Sequence, residues 1–148
     1  MITEDRYVIC DIDGTIALMH DEVPGRRGPF DWHRVREDEP NEPIIALLWH
    51  LRREGFKVVF VSGRMEAARE GTLAWLDDHV VDLDTMGFPL FMRADGDFRK
   101  DTAVKREIYE REIKDKYRIA YVLDDRDSVV AMWRELGLTV LQVAAGAF

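Results

Sequence analysis

The segment Tyr7-Val8-Ile9-Cys10-Asp11-Ile12-Asp13-Gly14-Thr15 decides how this sequence is interpreted. Four apolar residues run without interruption into an aspartate, and a second aspartate and a glycine follow. A short, continuous apolar run is typical of a strand that is buried on both faces of a sheet. The segment therefore predicts a buried parallel strand that ends at Asp11.

Similar apolar runs recur later in the chain, at 58–61, 89–92, 119–123 and 139–143. Amphipathic helical patterns separate them, and helices between successive strands imply crossover connections and a parallel sheet. We therefore predict an α/β fold, with a three-layer Rossmann-like core. Its five-stranded, mostly parallel sheet carries helices on both faces.

The four predicted helices each have a candidate start or a candidate buried stripe. Asn41, Asp101 and Asp127 stand where an N-cap is expected. In the second helix, from about residue 66 to residue 80, the periodicity predicts that Leu73 and Leu76 face the core.

Composition excludes several classes of protein. The chain has 148 residues, one cysteine, 47% hydrophobic residues and a formal net charge of -8. These values indicate a single packed core and no intramolecular disulfide, and they favour a reducing compartment such as the cytoplasm. Because no apolar run reaches the length of a membrane span, we expect no membrane partner. The acidic balance argues against wrapping a duplex, although not against binding one phosphate.

Polar residues stand at the carboxyl ends of three predicted strands, which meet at one edge of a parallel sheet. They are Asp11, Asp13, Ser62, Asp124 and Asp125. Clustered carboxylates are unfavourable unless a cation neutralises them, and an all-oxygen donor set suits Mg²⁺. We therefore predict Mg²⁺ as the cofactor.

The same edge offers the other parts of a phosphoryl-transfer site. Asp11 can attack phosphorus, and Asp13 can protonate the leaving oxygen and later deprotonate a water molecule. Ser62, the Gly63 amide and Lys105 supply donors for phosphate oxygens. Simpler interpretations remain open: Asp13-Gly14 as a plain turn, Ser62-Gly63 as another, and Lys105 as a solvated helix residue.

The motifs that carry this chemistry resemble those of the haloacid dehalogenase (HAD) superfamily of phosphotransferases. Asp11-Ile12-Asp13-Gly14-Thr15, Ser62, Lys105 and Asp124-Asp125 match its four motifs in order. The resemblance implies that residues 1–148 form one HAD-like phosphatase domain. Only a flap at about residues 17–40 takes the place of a cap domain.

Within that superfamily the chain looks like the 3'-phosphatase domain of bacteriophage polynucleotide kinase-phosphatase. The matching stretches are 27–31, 61–64, 99–101, 123–126 and 142–148, with Lys105. The resemblance implies that Asp11, the Asp13 carbonyl and Asp124 bind the metal, with Asp125 close by. It also implies that Arg27, Arg64, Arg93 and Asp101 surround the substrate or support the residues that do.

The function expected from the resemblance is removal of 3'-phosphates from DNA or RNA ends through an aspartyl-phosphate. The resemblance implies a separate kinase or ligase as a partner. No 5'-kinase activity is expected because the sequence contains no G-x-x-x-x-G-K-[ST] loop. Two alternatives stay open: a nucleotidase or other small-molecule phosphatase, and a non-catalytic module that binds nucleic-acid ends.

Overall fold

The computed structural model describes residues 4–20, 22–80 and 88–148. The strands and α-helices follow in chain order: β1 (Arg6–Cys10), β2 (Ala17–Leu18), β3 (Glu39–Pro40), α1 (Glu42–Arg53), β4 (Lys57–Met65), α2 (Arg69–His79), β5 (Leu90–Arg93), α3 (Asp101–Ile108), β6 (Arg118–Asp124), α4 (Asp127–Glu135) and β7 (Val140–Gln142). Short 3-10 helices span Trp32–Glu37 and Glu66–Ala68, and a π-helical turn, Tyr109–Ile113, continues α3.

The main sheet confirms the predicted fold class. Its five strands lie in the order β5-β4-β1-β6-β7. Every neighbouring pair in it is parallel. Because β1 is central, its carboxyl end lies between those of β4 and β6. The three strands that were predicted to end in polar residues are therefore immediate neighbours.

The sheet divides the interior into two cores because side chains alternate along each strand. Val8 and Cys10 of β1 pack in a cluster with residues of α1 and α2. Tyr7 and Ile9 pack in a second cluster, with residues of α4. Helices thus cover both faces, and the centre of the sheet is packed on either side.

Some local predictions were wrong. Leu73 of α2 is 43% exposed, and Trp75 is fully buried instead. Asp101 and Asp127 begin their helices without capping them through their side chains. The side chains of both residues form tertiary contacts instead, Asp101 with Arg93 and Asp127 with Gln142.

The predicted end of the second buried strand at Ser62 was also wrong. Strand β4 continues to Met65, and its pairing with β5 shifts register between Ser62 and Met65. Such an irregularity bends a strand and redirects its side chains. It lies beside the polar edge of the sheet.

The flap at residues 17–40 has local structure of its own. Strands β2 and β3 pair antiparallel at its two ends, and the 3-10 helix between them buries Val35. Gly71 of α2 lies so close to Val35 that a Cβ there would be 2.9 Å from the Val35 Cγ2 atom. This contact anchors the flap on α2.

Among the described residues, none of the helices combines the length and the apolar character that a membrane crossing needs.

Candidate active site

The carboxyl ends of β1, β4 and β6 open into a cavity of about 680 Å³. Asp11, Asp13 and Lys105 lie in its wall, together with Asp124 and Asp125. The convergence follows from the strand order, because the ends of neighbouring parallel strands share one edge. The structure thus brings together residues that are up to 114 positions apart.

Asp11 and Lys105 form the buried centre of the site. Lys105 Nζ donates to Asp11 Oδ1 at 2.8 Å and to Asp124 Oδ2 at 3.1 Å. Burial alone would lower the pKa of Lys105, but the Asp11 and Asp124 charges outweigh it and raise that pKa. Lys105 is therefore a fixed positive charge between two carboxylates.

Two further donors orient these carboxylates. Thr15 Oγ1 donates to Asp11 Oδ2 at 2.9 Å, which leaves both oxygens of Asp11 engaged in defined directions. Trp133 Nε1, from α4, donates to Asp124 Oδ2 at 3.2 Å. A nucleophile or metal ligand held from several sides needs little reorganisation before it reacts.

The carboxylates of Asp11, Asp124 and Asp125 suit a hard divalent cation. One oxygen from each lies within 4.8 Å of the others. Burial, reinforced by Asp124, raises the pKa of Asp11 well above its ordinary value despite Lys105. Burial likewise raises the pKa of Asp125. Neighbouring negative charge contributes to both raised pKa values, and a bound cation would offset that charge. Because all the donor atoms are oxygens, the residues fit Mg²⁺.

The Asp13 side chain points away from this carboxylate group and toward two arginines. Arg64 donates to both of its oxygens, at 2.7 Å from Nη2 and 3.0 Å from Nε, and Arg27 lies 3.5 Å away. Partial burial works to raise the pKa of Asp13, but the Arg64 guanidinium outweighs it and holds the pKa below its ordinary value. The prediction that Asp13 binds metal concerned its carbonyl and stays a prediction.

Asp38 is a functional residue that sequence reasoning missed. It is buried in the flap, where its carboxylate accepts from Arg27 Nε at 2.7 Å and from Arg64 Nη2 at 2.9 Å. Its backbone carbonyl accepts from Trp75 Nε1. Asp38 thus fixes both arginines that face Asp13. No signal in the sequence distinguishes it from the neighbouring Glu37 and Glu39.

Arg93 and Asp101 form a brace rather than an open binding group. Arg93 donates to the carbonyls of Gly63 and Asp97 and to the carboxylate of Asp101. Asp101 also pairs with Arg126 at 3.0 Å. This geometry favours support of the β4–α3 junction over direct substrate contact for Arg93.

Close packing around the site requires glycine at several positions, among them Gly14 and Gly63. Gly14 has a φ of +82°, and a Cβ there would lie 2.2 Å from Asp125 Oδ2. At Gly63 a Cβ would lie 2.7 Å from Asp101 Oδ1.

Ser62 is fully buried beside Gly63, and its Oγ accepts from the Arg64 amide. Among the described residues, Ser62 is absent from the cavity lining. Its contact with phosphate stays a prediction.

Comparison with curated proteins gives a viral relative. A viral protein, "Putative bifunctional polynucleotide kinase/RNA ligase" of Autographa californica nuclear polyhedrosis virus, is 35% identical over 141 residues. The match covers 93% of this chain and 19% of that protein. This chain thus spans about a fifth of the relative's length.

Solved structures agree in fold. Two structures of the Pnkp1/Rnl/Hen1 complex, one described as an RNA repair complex, match with a TM-score of 0.87 and 39% identity. Both matches cover 97% of this chain; they cover 47% of the matched chain in the first structure and 44% in the second. The class C acid phosphatase from Bacillus anthracis shares the fold, with a TM-score of 0.61 and 17% identity. That match covers 86% of this chain and 54% of the phosphatase chain.

A family model described as the polynucleotide kinase PNKP phosphatase domain matches residues 5–148. That range includes the whole polar edge of the sheet and the flap that braces it. The sequence motifs, the parallel sheet and the converging carboxylates agree with this assignment, so the chain belongs to the PNKP phosphatase-domain family, within the HAD superfamily.

Proposed function

We propose that this chain is a Mg²⁺-dependent phosphatase that removes 3'-phosphates from nucleic-acid ends. The observation that carries the proposal is the placement of Asp11, buried and oriented by Thr15 and Lys105, at the wall of an open cavity. The PNKP phosphatase-domain family supplies the substrate class. The site supplies the groups that such chemistry needs.

The first step of the proposed reaction is attack of an Asp11 oxygen on phosphorus. The bond from phosphorus to the 3'-oxygen breaks, and that oxygen takes a proton from Asp13. Since Arg64 favours the ionised form of Asp13 in the observed arrangement, proton donation requires the carboxylate to separate from Arg64 and to bind a proton from solvent first. The Asp13 side chain is 44% exposed, which leaves it room for that movement.

The second step is hydrolysis of the aspartyl-phosphate on Asp11. A water oxygen attacks phosphorus, the bond to Asp11 breaks, and the water proton passes to Asp13. The pair with Arg64 suits this half of the cycle, because an ionised carboxylate is the form that accepts a proton. Lys105 stays beside Asp11 and offsets negative charge on the phosphoryl oxygens.

Asp11, Asp124 and Asp125 would hold Mg²⁺, with the Asp13 carbonyl as a further ligand by family resemblance. Bound there, the ion supplies charge neutralisation for the dianionic phosphate. Asp124 is fixed for that role by Lys105 and Trp133. Asp125 has its position set by close packing against Gly14.

The biological setting we propose is end healing before ligation. The product, a 3'-hydroxyl, is the end that a nucleic-acid ligase needs, and a 5'-kinase would prepare the other end. The viral relative is described as a polynucleotide kinase/RNA ligase, and the structural relatives stand in an RNA repair complex. These descriptions support a kinase and a ligase as partners.

The test is phosphate release from a panel of substrates: 3'-phosphorylated oligonucleotides of DNA and RNA, free mononucleotides and inorganic pyrophosphate. We expect release from the oligonucleotides, its loss with chelator and with Asp11→Asn, and unchanged far-UV circular dichroism in that variant. Faster turnover of mononucleotides than of oligonucleotides would favour a nucleotidase. Full activity of Asp11→Asn would exclude the mechanism.

A further inference from the structure

Three exposed phenylalanines surround the mouth of the cavity. Phe30 in the flap is 80% exposed, Phe98 in the β5–α3 loop is 86% exposed, and Phe148 is 66% exposed. All three line the cavity that contains Asp11 and Lys105. We call these three residues the aromatic rim. Phenylalanines exposed to this degree are unusual on a protein surface, and three that line one cavity indicate a contact surface.

The cavity wall offers few free cations for a nucleic-acid backbone. Among the described lining residues, Lys and Arg number six and so do Asp and Glu. Each of the six cations is paired with a carboxylate: Arg27, Arg64, Arg93, Arg99, Lys105 and Arg126. Phosphates flanking the reacting one therefore meet a wall that is close to neutral. Affinity for a polymer end must come from another part of the nucleotide.

The base is the part that fits the aromatic rim. One sugar joins the base of the 3'-terminal nucleotide to the reacting phosphate, so the base must lie near the wall of the same cavity. Aromatic side chains bind unpaired bases by stacking, and every base offers a π-face. Phe30 is supported edge-on by Trp32 at 6.1 Å, and Arg126 lies over the Phe148 ring at 4.8 Å.

We propose that the aromatic rim stacks the unpaired bases of the 3'-terminal nucleotides and so makes the enzyme selective for single-stranded ends. The inference rests on the proposed function and specifies its substrate. Bases inside a duplex already stack on their neighbours and cannot offer both faces to the rim. Stacking is also tolerant of base identity, because every base has a π-face.

The test measures binding without turnover, in an Asp11→Asn background, by fluorescence anisotropy. The probes are a short 3'-phosphorylated single strand, the same strand with abasic terminal nucleotides, and a blunt duplex with a 3'-phosphate. Phe98→Ala, Phe98→Leu and Phe98→Trp are compared, with alanine variants at Phe30 and Phe148. The matched control is Leu73→Ala, since Leu73 is 43% exposed on α2 and absent from the cavity lining.

We expect Phe98→Ala and Phe98→Leu to raise the Kd for the single strand by about 5- to 150-fold. Phe98→Trp should restore binding, and Leu73→Ala should leave it unchanged. With the abasic probe, the ratio of the Kd of Phe98→Ala to the Kd of the parent should fall toward one. Because the side chains are exposed, these substitutions do not threaten the fold.

The proposal is overturned if all three rim alanines leave the Kd unchanged, a result that would instead point to a protein partner for the rim. It is also overturned if Phe98→Leu binds as well as the parent, or if the abasic probe shows the same loss. Failure of the proposed function appears separately, as absence of phosphate release by the unsubstituted chain from every probe.

Discussion

Lys105 Nζ lies 2.8 Å from Asp11 Oδ1, and the two residues are separated by 94 positions in the chain. Both side chains are almost completely buried. A buried ion pair gives little net stability by itself, since desolvation offsets most of the attraction, but removal of one partner leaves an uncompensated charge. Substitution of either residue should therefore change both the stability of the fold and the activity.

Lys105→Met should abolish activity and destabilise the fold by about 3–5 kcal/mol, because the buried carboxylates of Asp11 and Asp124 lose their cation. Urea denaturation and phosphate release measure the two effects. The control is Lys116→Met, whose exposed pair with Glu112 should leave both quantities unchanged. Equal stability of Lys105→Met and the parent would contradict the ion-pair geometry.

Asp38→Ala should reduce activity although Asp38 is absent from the described lining of the cavity. Its removal frees the guanidinium groups of Arg27 and Arg64, so that Asp13 loses its fixed orientation. We expect a fall in kcat larger than the change in KM, together with a loss of about 3–5 kcal/mol in stability.

Glu37 provides the control for that prediction, since it lies in the same flap but pairs only with Arg34 at the surface among the contacts described. Glu37→Ala should behave as the parent. If Asp38→Ala kept full kcat while it lost stability, Asp38 would be structural and would not position Asp13.

The sequence sufficed to predict the fold class and the edge of the sheet at which the site lies. Apolar runs that end in aspartate mark buried strands directly, and parallel strands bring those ends together without any further information. Asp11 and Asp124 could therefore be grouped before their geometry was known, whereas Lys105 lies within α3 and was assigned to the site as a phosphate donor.

Pairings between side chains could not be predicted in the same way. Asp38 is one of several acids in the flap, and only the tertiary fold determines that it, and not Glu37, meets two buried arginines. The N-cap predictions for Asp101 and Asp127 failed for a related reason: both residues have capping chemistry, but Arg93 and Gln142 compete for their side chains. Asn41 does stand at the N-cap position of α1, as predicted. Local propensity is a weak guide where a charged partner is close.

Gly14→Ala and Gly25→Ala separate backbone strain from steric conflict. Both glycines have positive φ, +82° and +87°, so each substitution should cost about 1–2 kcal/mol of strain. Only at Gly14 does the added methyl group meet another residue, Asp125, whose Oδ2 would be 2.2 Å away. Gly14→Ala should therefore also abolish activity, whereas Gly25→Ala should retain it. Phosphate release and urea denaturation of both variants decide the matter, and similar activity in the two would contradict the packing of Asp125.

Addition of Mg²⁺ should stabilise the parent chain against heat. A ligand at 100 times its Kd contributes about 2.7 kcal/mol, which corresponds to a rise in Tm of about 5–10 °C for a chain of this size. Asp124→Asn should reduce this rise, because it removes one of the three clustered carboxylates. The control is Asp127→Asn, three residues away, whose carboxylate accepts from Gln142 and lies outside that cluster. Differential scanning calorimetry with Mg²⁺ and with chelator provides the measurement. An equal Mg²⁺-dependent rise in both variants would place the ion elsewhere, because the neutral amide that Asp124→Asn introduces cannot replace the charge through which the site would bind it.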